Sequence, residues 1–363
     1  MNNRYAEHRQ IARDLGVDAV ALVPGYNFER LYDARFGSHE RPMLIIIPAE
    51  GPPAALVPNL ELLSFAQLGF EGEVFDWRDQ TGYGDAFAEL AAHLPLKSLA
   101  VEGQVMRVFV HHALASAYPG LKIIDAEKQI SGLRLRKTPK DIAALTRAIR
   151  LSEAALADTL DEVKIGMTEL EIEALLVAAL FRHGAEGLAF GPIVAAGGNA
   201  AMPHAHARDV ALKAGDALLI DFGARKDGFA ADITRTFFVG HADDRAHQIY
   251  DTVLRANMAG LGVTRAGVTA HEIDDAVISV MEASPFAQYI RTKTGHGLGR
   301  DVHEAPYIMR GNHEILEAGA VYTNEPGLYI PGEIGVRIED DVLVTETGYL
   351  SLTEYPKTLT VIA

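Results

Sequence analysis

The sequence of 363 residues contains no cysteine, which excludes disulfides and thiolate metal sites. It has no apolar run close to the ~20 residues of a membrane-spanning helix, and its first residues do not resemble a signal peptide. Basic side chains are scarce: the chain has 33 of them and 49 acidic ones, which gives a formal net charge of −16. Nucleic acids and anionic membranes are therefore disfavoured as partners, because both bind positive surfaces. We expect a soluble, cytoplasmic protein.

What is present suits a globular protein of two domains, with 48% hydrophobic and 23% charged residues. Short apolar runs alternate with helical periodicity over residues 1–132, which predicts an α/β domain. Helices are predicted at Tyr83–His93 and Val105–Ala117. Strands are predicted at Ala19–Val23, Met43–Ile47, Ala54–Val57, Leu99–Val101 and Lys122–Asp125.

The polar segment Leu133–Asp141 contains a proline and is interpreted as the boundary between the domains. Ile142–Val163 has the spacing of a long amphipathic helix, which would open a second domain over residues 133–363.

The second domain contains an internal repeat. Two segments recur in order: Gly166–Glu173 as Gly267–Asp274, and Leu212–Gly215 as Leu316–Gly319. The offset of the second pair also carries Asp221 onto Glu325. In both copies of the first segment a threonine precedes a glutamate by three positions, the capping-box arrangement that begins a helix. Each half is therefore predicted to be two helices followed by strands, related by a pseudo-twofold axis.

Each half also predicts a hairpin that brings two carboxylates together. In the first half, strands Asp216–Phe222 and Ala231–Val239 would place Asp221 near Asp232.

In the second half, strands Val321–Glu325 and Gly335–Thr345 would place Glu325 near Glu339. Four carboxylates among apolar strands repel one another unless divalent cations neutralise them. His296, between glycines, would add a nitrogen ligand. Such a donor set favours Mn²⁺, Co²⁺, Fe²⁺ or Zn²⁺ over Ca²⁺.

The motifs around these residues resemble those of the pita-bread metallopeptidases, the family of methionine aminopeptidases, aminopeptidase P and prolidase (Xaa-Pro dipeptidase). The motifs are Asp221-Phe222-Gly223, Asp232–Phe237, Gly295–Gly299, Val302-His303-Glu304, Asn324–Tyr329 and Arg337–Asp340. The first domain resembles the N-terminal domain of prolidase and aminopeptidase P, notably at Val23–Asn27 and Glu40–Pro42. The resemblance implies an α/β N-terminal domain followed by an α+β pita-bread (creatinase/aminopeptidase) catalytic domain.

The resemblance further implies two divalent metal ions per subunit, with Mn²⁺ or Co²⁺ favoured over Zn²⁺ or Fe²⁺. The expected ligands are Asp221, Asp232, His296, Glu325 and Glu339. Asp232 and Glu339 would bridge both ions, Asp221 would bind one, and His296 and Glu325 the other. A water held between the ions would attack the substrate as hydroxide.

Roles near the metals are also implied by the resemblance. Glu325 would accept the proton of the water and pass it to the leaving amine. His204 and His303 would contact the substrate, although His206 is an alternative to His204. Arg337 would align the bridging carboxylate. Tyr329 is a further expected substrate contact.

The predicted activity is hydrolysis of Xaa-Pro dipeptides by a homodimer. The compact first domain favours a dipeptidase over the nearest competing activity, that of an aminopeptidase P acting on longer Xaa-Pro peptides. The remaining candidates are a metal-dependent lyase or amidohydrolase acting on a small osmolyte, and a binding protein without catalysis. Thr292 occupies a place where prolidase-like proteins often carry histidine, which bears on specificity.

Overall fold

The computed structural model describes residues 3–37 and 39–363. The chain forms two compact units, one ending at Arg134 and the other beginning at Leu135. No helix in the described ranges is long and apolar enough to cross a membrane.

The first unit is built on one six-stranded sheet. Its strands are β1 (Ala19–Leu22), β2 (Leu44–Pro48), β3 (Ala54–Pro58), β4 (Glu73–Trp77), β5 (Ser98–Val101) and β6 (Lys122–Asp125). Their order is β4-β3-β2-β1-β5-β6, with β2 antiparallel to both neighbours and the other pairings parallel. Its helices are α1 (Ala6–Leu15), α2 (Tyr26–Tyr32), α3 (Leu62–Ala66), α4 (Gly84–His93), α5 (Val108–Ala117) and α6 (Glu127–Gly132). The predicted α/β organisation is confirmed.

The central strands of this sheet are buried on both faces. Ile45 and Ile47 of β2 pack into one hydrophobic cluster, and Leu44 and Ile46 pack into another. Successive side chains of a strand point to opposite faces, so a strand covered on both sides appears as an unbroken apolar run. This is why β2 was predictable. β4 was not predicted, because polar residues such as Glu73 and Asp76 interrupt its apolar pattern.

The second unit contains four long helices and mostly antiparallel strands. The helices are α7 (Pro139–Glu162), α8 (Glu169–Arg182), α9 (Asp244–Val263) and α10 (Ala270–Glu282). α7 begins three residues before the predicted start, inside the segment interpreted as the boundary. Thr138 caps its N-terminus and Pro139 takes the first helical position, where proline costs no hydrogen bond.

The strands of the first half of this unit are β7 (Gly187–Leu188), β8 (Ile193–Ala196), β9 (Ala217–Phe222), β10 (Ala224–Lys226), β11 (Phe229–Ala230) and β12 (Ile233–Val239). Those that follow are β13 (Gly295–Gly297), β14 (Glu304–Ile308), β15 (Val321–Asn324), β16 (Gly327–Ile330), β17 (Ile334–Arg337), β18 (Asp340–Val344), β19 (Tyr349–Ser351) and β20 (Val361–Ile362).

The repeat is present in the order and pairing of these elements. α8 and α10 both begin with a complete capping box, formed by Thr168 with Glu171 and by Thr269 with Glu272, as predicted. In the first half β9 pairs with β12 and the shorter β10 pairs with β11 between them. In the second half β15 pairs with β18 and β16 pairs with β17 in the same way.

One predicted strand is divided in two. Gly335–Thr345 was expected to be continuous, but β17 ends at Arg337 and β18 begins at Asp340. Between them the backbone N–H of Ile338 donates to Pro326 O, and that of Glu339 donates to Thr234 O in the other half. The break places Glu339 between two sheets, where its backbone contacts Thr234 of the first repeat.

Candidate metal centre

Three side chains from different elements converge at the centre of the second unit. Asp232 lies just before β12, His296 is in β13, and Glu339 lies between β17 and β18. Each offers one atom suited to metal ligation, and these atoms lie within 4.8 Å of one another. All three residues are buried, with 4%, 3% and 1% of their surfaces exposed. The arrangement puts two carboxylates and one imidazole in a single small space.

The two further predicted ligands lie beside these three. Glu325 Oε1 is 3.3 Å from His296 Nε2, and Asp232 Oδ2 is 3.6 Å from the same nitrogen. Asp221 is in contact with Arg337, whose Nη2 is 2.5 Å from Asp221 Oδ2. Asp221 Oδ1 is buried and has no hydrogen-bond partner among the described residues. The structure therefore brings all five predicted side chains together.

His296 is oriented by its own backbone. Its Nδ1 lies 3.1 Å from the carbonyl oxygen of Gly297, which can only accept a hydrogen bond, so Nδ1 carries the proton. Nε2 therefore faces the carboxylates, and once deprotonated it can ligate a metal through its lone pair, as a metal-ligating imidazole requires. The flanking glycines permit this position. A Cβ on Gly295 would lie 1.8 Å from Thr323 O, and one on Gly297 would lie 2.1 Å from Ala305 O.

The electrostatics of the cluster are those of crowded, desolvated acids. Burial raises the pKa of Asp232 well above its ordinary value, and the charges of Glu339 and Asp221 raise it further. Burial likewise raises the pKa of Glu339, with Glu325 as the next cause. Burial also acts to raise the pKa of Glu325, but the hydrogen bond and charge of His296, together with the charges of Arg337 and Lys293, leave this pKa lowered.

These side chains fit a pair of divalent cations. Arg337 is a guanidinium in direct contact with the cluster, and its ion pair is with Asp221. The remaining carboxylates keep oxygens directed at the shared space, and the buried Asp221 Oδ1 lacks a donor within the described part of the chain. A group of oxygen donors with one imidazole is a donor set suited to divalent transition metals.

Thr234 links Arg337 to Glu339, a role that sequence reasoning missed. Arg337 Nε donates to Thr234 Oγ1 at 3.0 Å, and Thr234 Oγ1 donates to Glu339 Oε2 at 2.6 Å. Arg337 was expected to align the carboxylate of Glu339. It reaches that carboxylate through the hydroxyl of Thr234. Arg337 Nη1 also donates to the Tyr329 hydroxyl at 2.8 Å. Thr234 belongs to the Asp232–Phe237 motif, which the sequence shows. Its contacts with Arg337 and Glu339 could be seen only in the structure.

Asp341 and Arg235 also support the centre without having been predicted. Asp341 Oδ2 accepts from the backbone N–H of Asp232 at 3.2 Å. Arg235 donates to the carbonyl of Glu339 at 2.5 Å and to Asp340 Oδ1 at 2.8 Å. Buried side chains therefore hold the backbone N–H of Asp232 and the backbone carbonyl of Glu339.

The two predicted substrate-contacting histidines lie at the exposed side of the centre. The His303 ring packs edge-to-face against His296, with ring centroids 4.2 Å apart. Desolvation, followed by the charge of His296, lowers the pKa of His303 to about 4, and His204 is near enough to lower it further. His204 and His206 are both exposed, while Tyr329 is only 1% exposed. Substrate contact by His204, His303 and Tyr329 stays a prediction.

Comparisons with known proteins agree with this geometry. Residues 143–346 match the model of Metallopeptidase family M24, and residues 4–136 match the Creatinase/Prolidase N-terminal domain. The chain is 34% identical over 356 residues to a probable dipeptidase PepE of Mycobacterium bovis, which covers 96% of this chain and 93% of the relative. It is 32% identical to a putative dipeptidase YkvY of Bacillus subtilis, with 89% and 90% covered.

Among solved structures, a recombinant prolidase from Thermococcus sibiricus superimposes with a TM-score of 0.94 at 29% identity, covering 100% of both chains. Likeness over the full length of both domains confirms the predicted fold class, an α/β domain followed by a pita-bread domain. The protein is a metallopeptidase that acts with divalent metal ions, and the chain belongs to Metallopeptidase family M24.

Proposed function

We propose that this metallopeptidase hydrolyses Xaa-Pro dipeptides, releasing proline. The observation that carries the proposal is the convergence of four carboxylates and His296 in one buried space. Full-length likeness to a prolidase and to proteins named dipeptidases supports this substrate class.

We assign the metal ligands as predicted. Asp221, Asp232, His296, Glu325 and Glu339 would together hold the two ions. Bound divalent cations would supply Lewis acidity, lowering the pKa of a water and polarising the scissile carbonyl. Mn²⁺ or Co²⁺ is the proposed metal, and metal analysis with anomalous scattering at the two absorption edges tests it.

The side chains of the protein then handle protons and hold the substrate. Glu325, directed at the centre by β15, accepts the proton of the attacking water and delivers it to the departing imino nitrogen. His303 is neutral at pH 7, since its pKa is lowered to about 4, and it offers a ring N–H without adding charge. His204 beside it offers a second donor. Donors of this kind, aimed at the developing oxyanion, contribute about 3–4 kcal/mol each.

Three substrates test the proposal: Ala-Pro, Ala-Pro-Ala and Ala-Ala, each with added Mn²⁺ or Co²⁺. We expect proline release from Ala-Pro and little turnover of the tripeptide and of Ala-Ala. Turnover of the tripeptide alone would favour an aminopeptidase P. No cleavage of any substrate would overturn the peptidase proposal and favour a lyase, an amidohydrolase or a binding protein.

An Asp232→Asn variant tests the ligand assignment. It removes the charge of one proposed ligand carboxylate, so we expect loss of metal and of turnover. Asp251→Asn, an exposed position on α9 with a side chain 63% exposed, is the matched control for the same chemical change. Full activity of Asp232→Asn would remove the two-metal mechanism.

The expected homodimer and cytoplasmic location stay predictions, which sedimentation equilibrium and cell fractionation test.

A further inference from the structure

A buried carboxylate outside the metal centre holds the segment that carries His204. Glu169, the first residue of α8, is 0% exposed. Its oxygens accept from the backbone N–H of Ala196 at 2.8 Å and from that of Arg208 at 2.8 Å. These two residues immediately precede and follow residues 197–207, which we call the His204 segment. One side chain therefore joins both ends of the segment.

Side-chain donors complete the same arrangement. Asn199 Nδ2 donates to Glu169 Oε2 at 2.9 Å and also to the carbonyl of His206 at 3.0 Å. Arg208 Nε and Nη2 donate to Glu169 at 3.1 Å each. All of these groups donate to Glu169, and an ionised carboxylate, which only accepts, satisfies them all. A glutamine would present its own N–H₂ group to some of these donors.

The second repeat uses a carboxylate in the same way. Asp274 on α10 is 3% exposed and accepts from the backbone N–H of Thr294 at 2.8 Å and of Arg310 at 2.9 Å. The residues between Thr294 and Arg310 include His296 and His303. In each half, therefore, a helix-borne carboxylate closes the segment that carries its histidines. The position that corresponds to Glu169 in the second repeat is Ala270, so the two halves reached this arrangement with different residues.

The His204 segment contains little regular secondary structure that would fix its position. Its regular structure is one 3₁₀ turn, Gly197–Asn199, and His204 itself is exposed. Ala200 and Ala205 anchor its inner side, with only 1% and 3% of their surfaces exposed. Small apolar contacts alone fix a loop weakly, whereas charge-assisted hydrogen bonds at both ends restrict it strongly.

We propose that Glu169 is a positioning residue, which joins the two ends of the His204 segment and thereby holds His204 against the substrate side of the metal centre. The role of His204 in this inference rests on the proposed function. The joining of the two segment ends by Glu169 does not. Glu169 itself touches neither substrate nor metal. Loss of its hydrogen bonds frees the segment, and displacement of a catalytic donor by about 1 Å costs up to about 100-fold in rate.

The test compares Glu169→Gln with Glu171→Gln. Glu171 lies on the same helix, is exposed, and forms the capping box with Thr168, so it is matched for charge and location. On the substrate that the wild type cleaves, we expect Glu169→Gln to lower kcat about 10- to 100-fold with little change in KM. We expect Glu171→Gln to keep the wild-type kcat. Metal affinity should remain unchanged in both variants, because neither residue is near a ligand.

A double-mutant cycle with His204→Ala separates positioning from simple destabilisation. If Glu169 acts through His204, then His204→Ala lowers kcat much less in the Glu169→Gln background than in the wild type. Multiplicative effects of the two substitutions would overturn the proposal. So would a wild-type kcat in Glu169→Gln.

Hydrogen exchange gives a readout that does not need substrate. Amides of residues 197–207 should exchange at least about tenfold faster in Glu169→Gln than in Glu171→Gln, and unchanged exchange would overturn the closure. If wild-type enzyme cleaves none of the peptides but exchange behaves as expected, the proposed function fails and the closure stands. Arg208→Gln, which removes two donors from a side chain 46% exposed, should show the same changes to a smaller extent even if Glu169→Gln does not fold.

Discussion

At the scale of the residue, two acids of the centre are held by specific side-chain donors of the protein. Thr234 donates to Glu339, and Arg337 donates to Asp221. Such contacts restrict the side chains to a few rotamers, which reduces the conformational entropy that metal binding must offset. The cost is a set of desolvated charges whose pKa values are raised by burial.

Another buried acid, Glu102, lies in the first unit, and only one of its oxygens has a described hydrogen-bond partner. Glu102, which follows β5, is 2% exposed. Asn27 donates to its Oε1 at 2.7 Å, while Oε2 has no hydrogen-bond partner among the described residues. Burial raises the pKa of Glu102 from 4.5 to about 7, since it outweighs the hydrogen bond from Asn27.

This predicts a pH-dependent stability. Between pH 4.5 and about 7 the unfolded chain loses the Glu102 proton while the folded chain keeps it, so the free energy of unfolding falls as pH rises. The difference of about 2.5 pKa units corresponds to about 3 kcal/mol. Glu102→Gln, which still accepts from Asn27, should remove most of this fall.

Trp77, the single tryptophan of the chain, lies in the same unit and is buried, so its fluorescence reports the unfolding transition. Urea titrations from about pH 4.5 to 8 measure the effect, with Glu50→Gln, whose side chain is 86% exposed in the same unit, as a control for loss of a carboxylate. An identical pH dependence in wild type and Glu102→Gln would contradict the prediction.

At the scale of the element, the two repeats use the same strand pairings to hold different proposed ligands. In the first repeat, Asp221 is in β9 and Asp232 immediately precedes its partner β12. In the second repeat, Glu325 follows β15 and Glu339 precedes its partner β18. The helices before them supply the carboxylates that close the histidine segments.

Asp274 provides a prediction for the second of these segments. Its two oxygens each accept one backbone N–H, so Asp274→Asn must lose one of the two hydrogen bonds. Because the segment contains His296, we expect metal affinity to fall about 10-fold or more. Isothermal titration of the metal-free protein measures this. Glu169→Gln is the contrasting variant, because its segment carries no proposed ligand. Equal metal affinities in Asp274→Asn and the wild type would contradict the assignment.

The sequence predicted these elements well where a local pattern determines them. The capping boxes at Thr168 and Thr269 follow from residues three positions apart, and both were found. The break at Ile338–Glu339 could not be predicted, because it depends on a backbone hydrogen bond to Thr234, which is distant in sequence. The contact of Glu169 with Arg208 was missed for the same reason.

At the scale of the whole molecule, the predicted five-residue site depends on residues from both repeats. The motifs made these residues predictable as a set, because each lies in a recognisable local pattern. Their distances and supporting contacts required the tertiary structure.

Metal removal should therefore change the stability of the folded chain. Ligands that bind only the native state stabilise it by about 2.7 kcal/mol at about 100 times their dissociation constant. For a unit of this size that corresponds to a rise in Tm of roughly 5–10 °C. Calorimetry of the chelator-treated protein before and after Mn²⁺ addition measures the rise. Asp232→Asn should show little of it, and an equal rise in that variant would mean that the metal acts elsewhere.

The break between β17 and β18 has a consequence for biosynthesis. It delivers Glu339 to a cluster whose first members, Asp221 and Asp232, are translated more than a hundred residues earlier. A nascent chain that stops before Glu339 has an incomplete set of these acids. With these acids as the proposed ligands, metal content of the purified protein measures complete, correctly folded molecules, and fragments or stalled translation products that lack Glu339 should contain almost none.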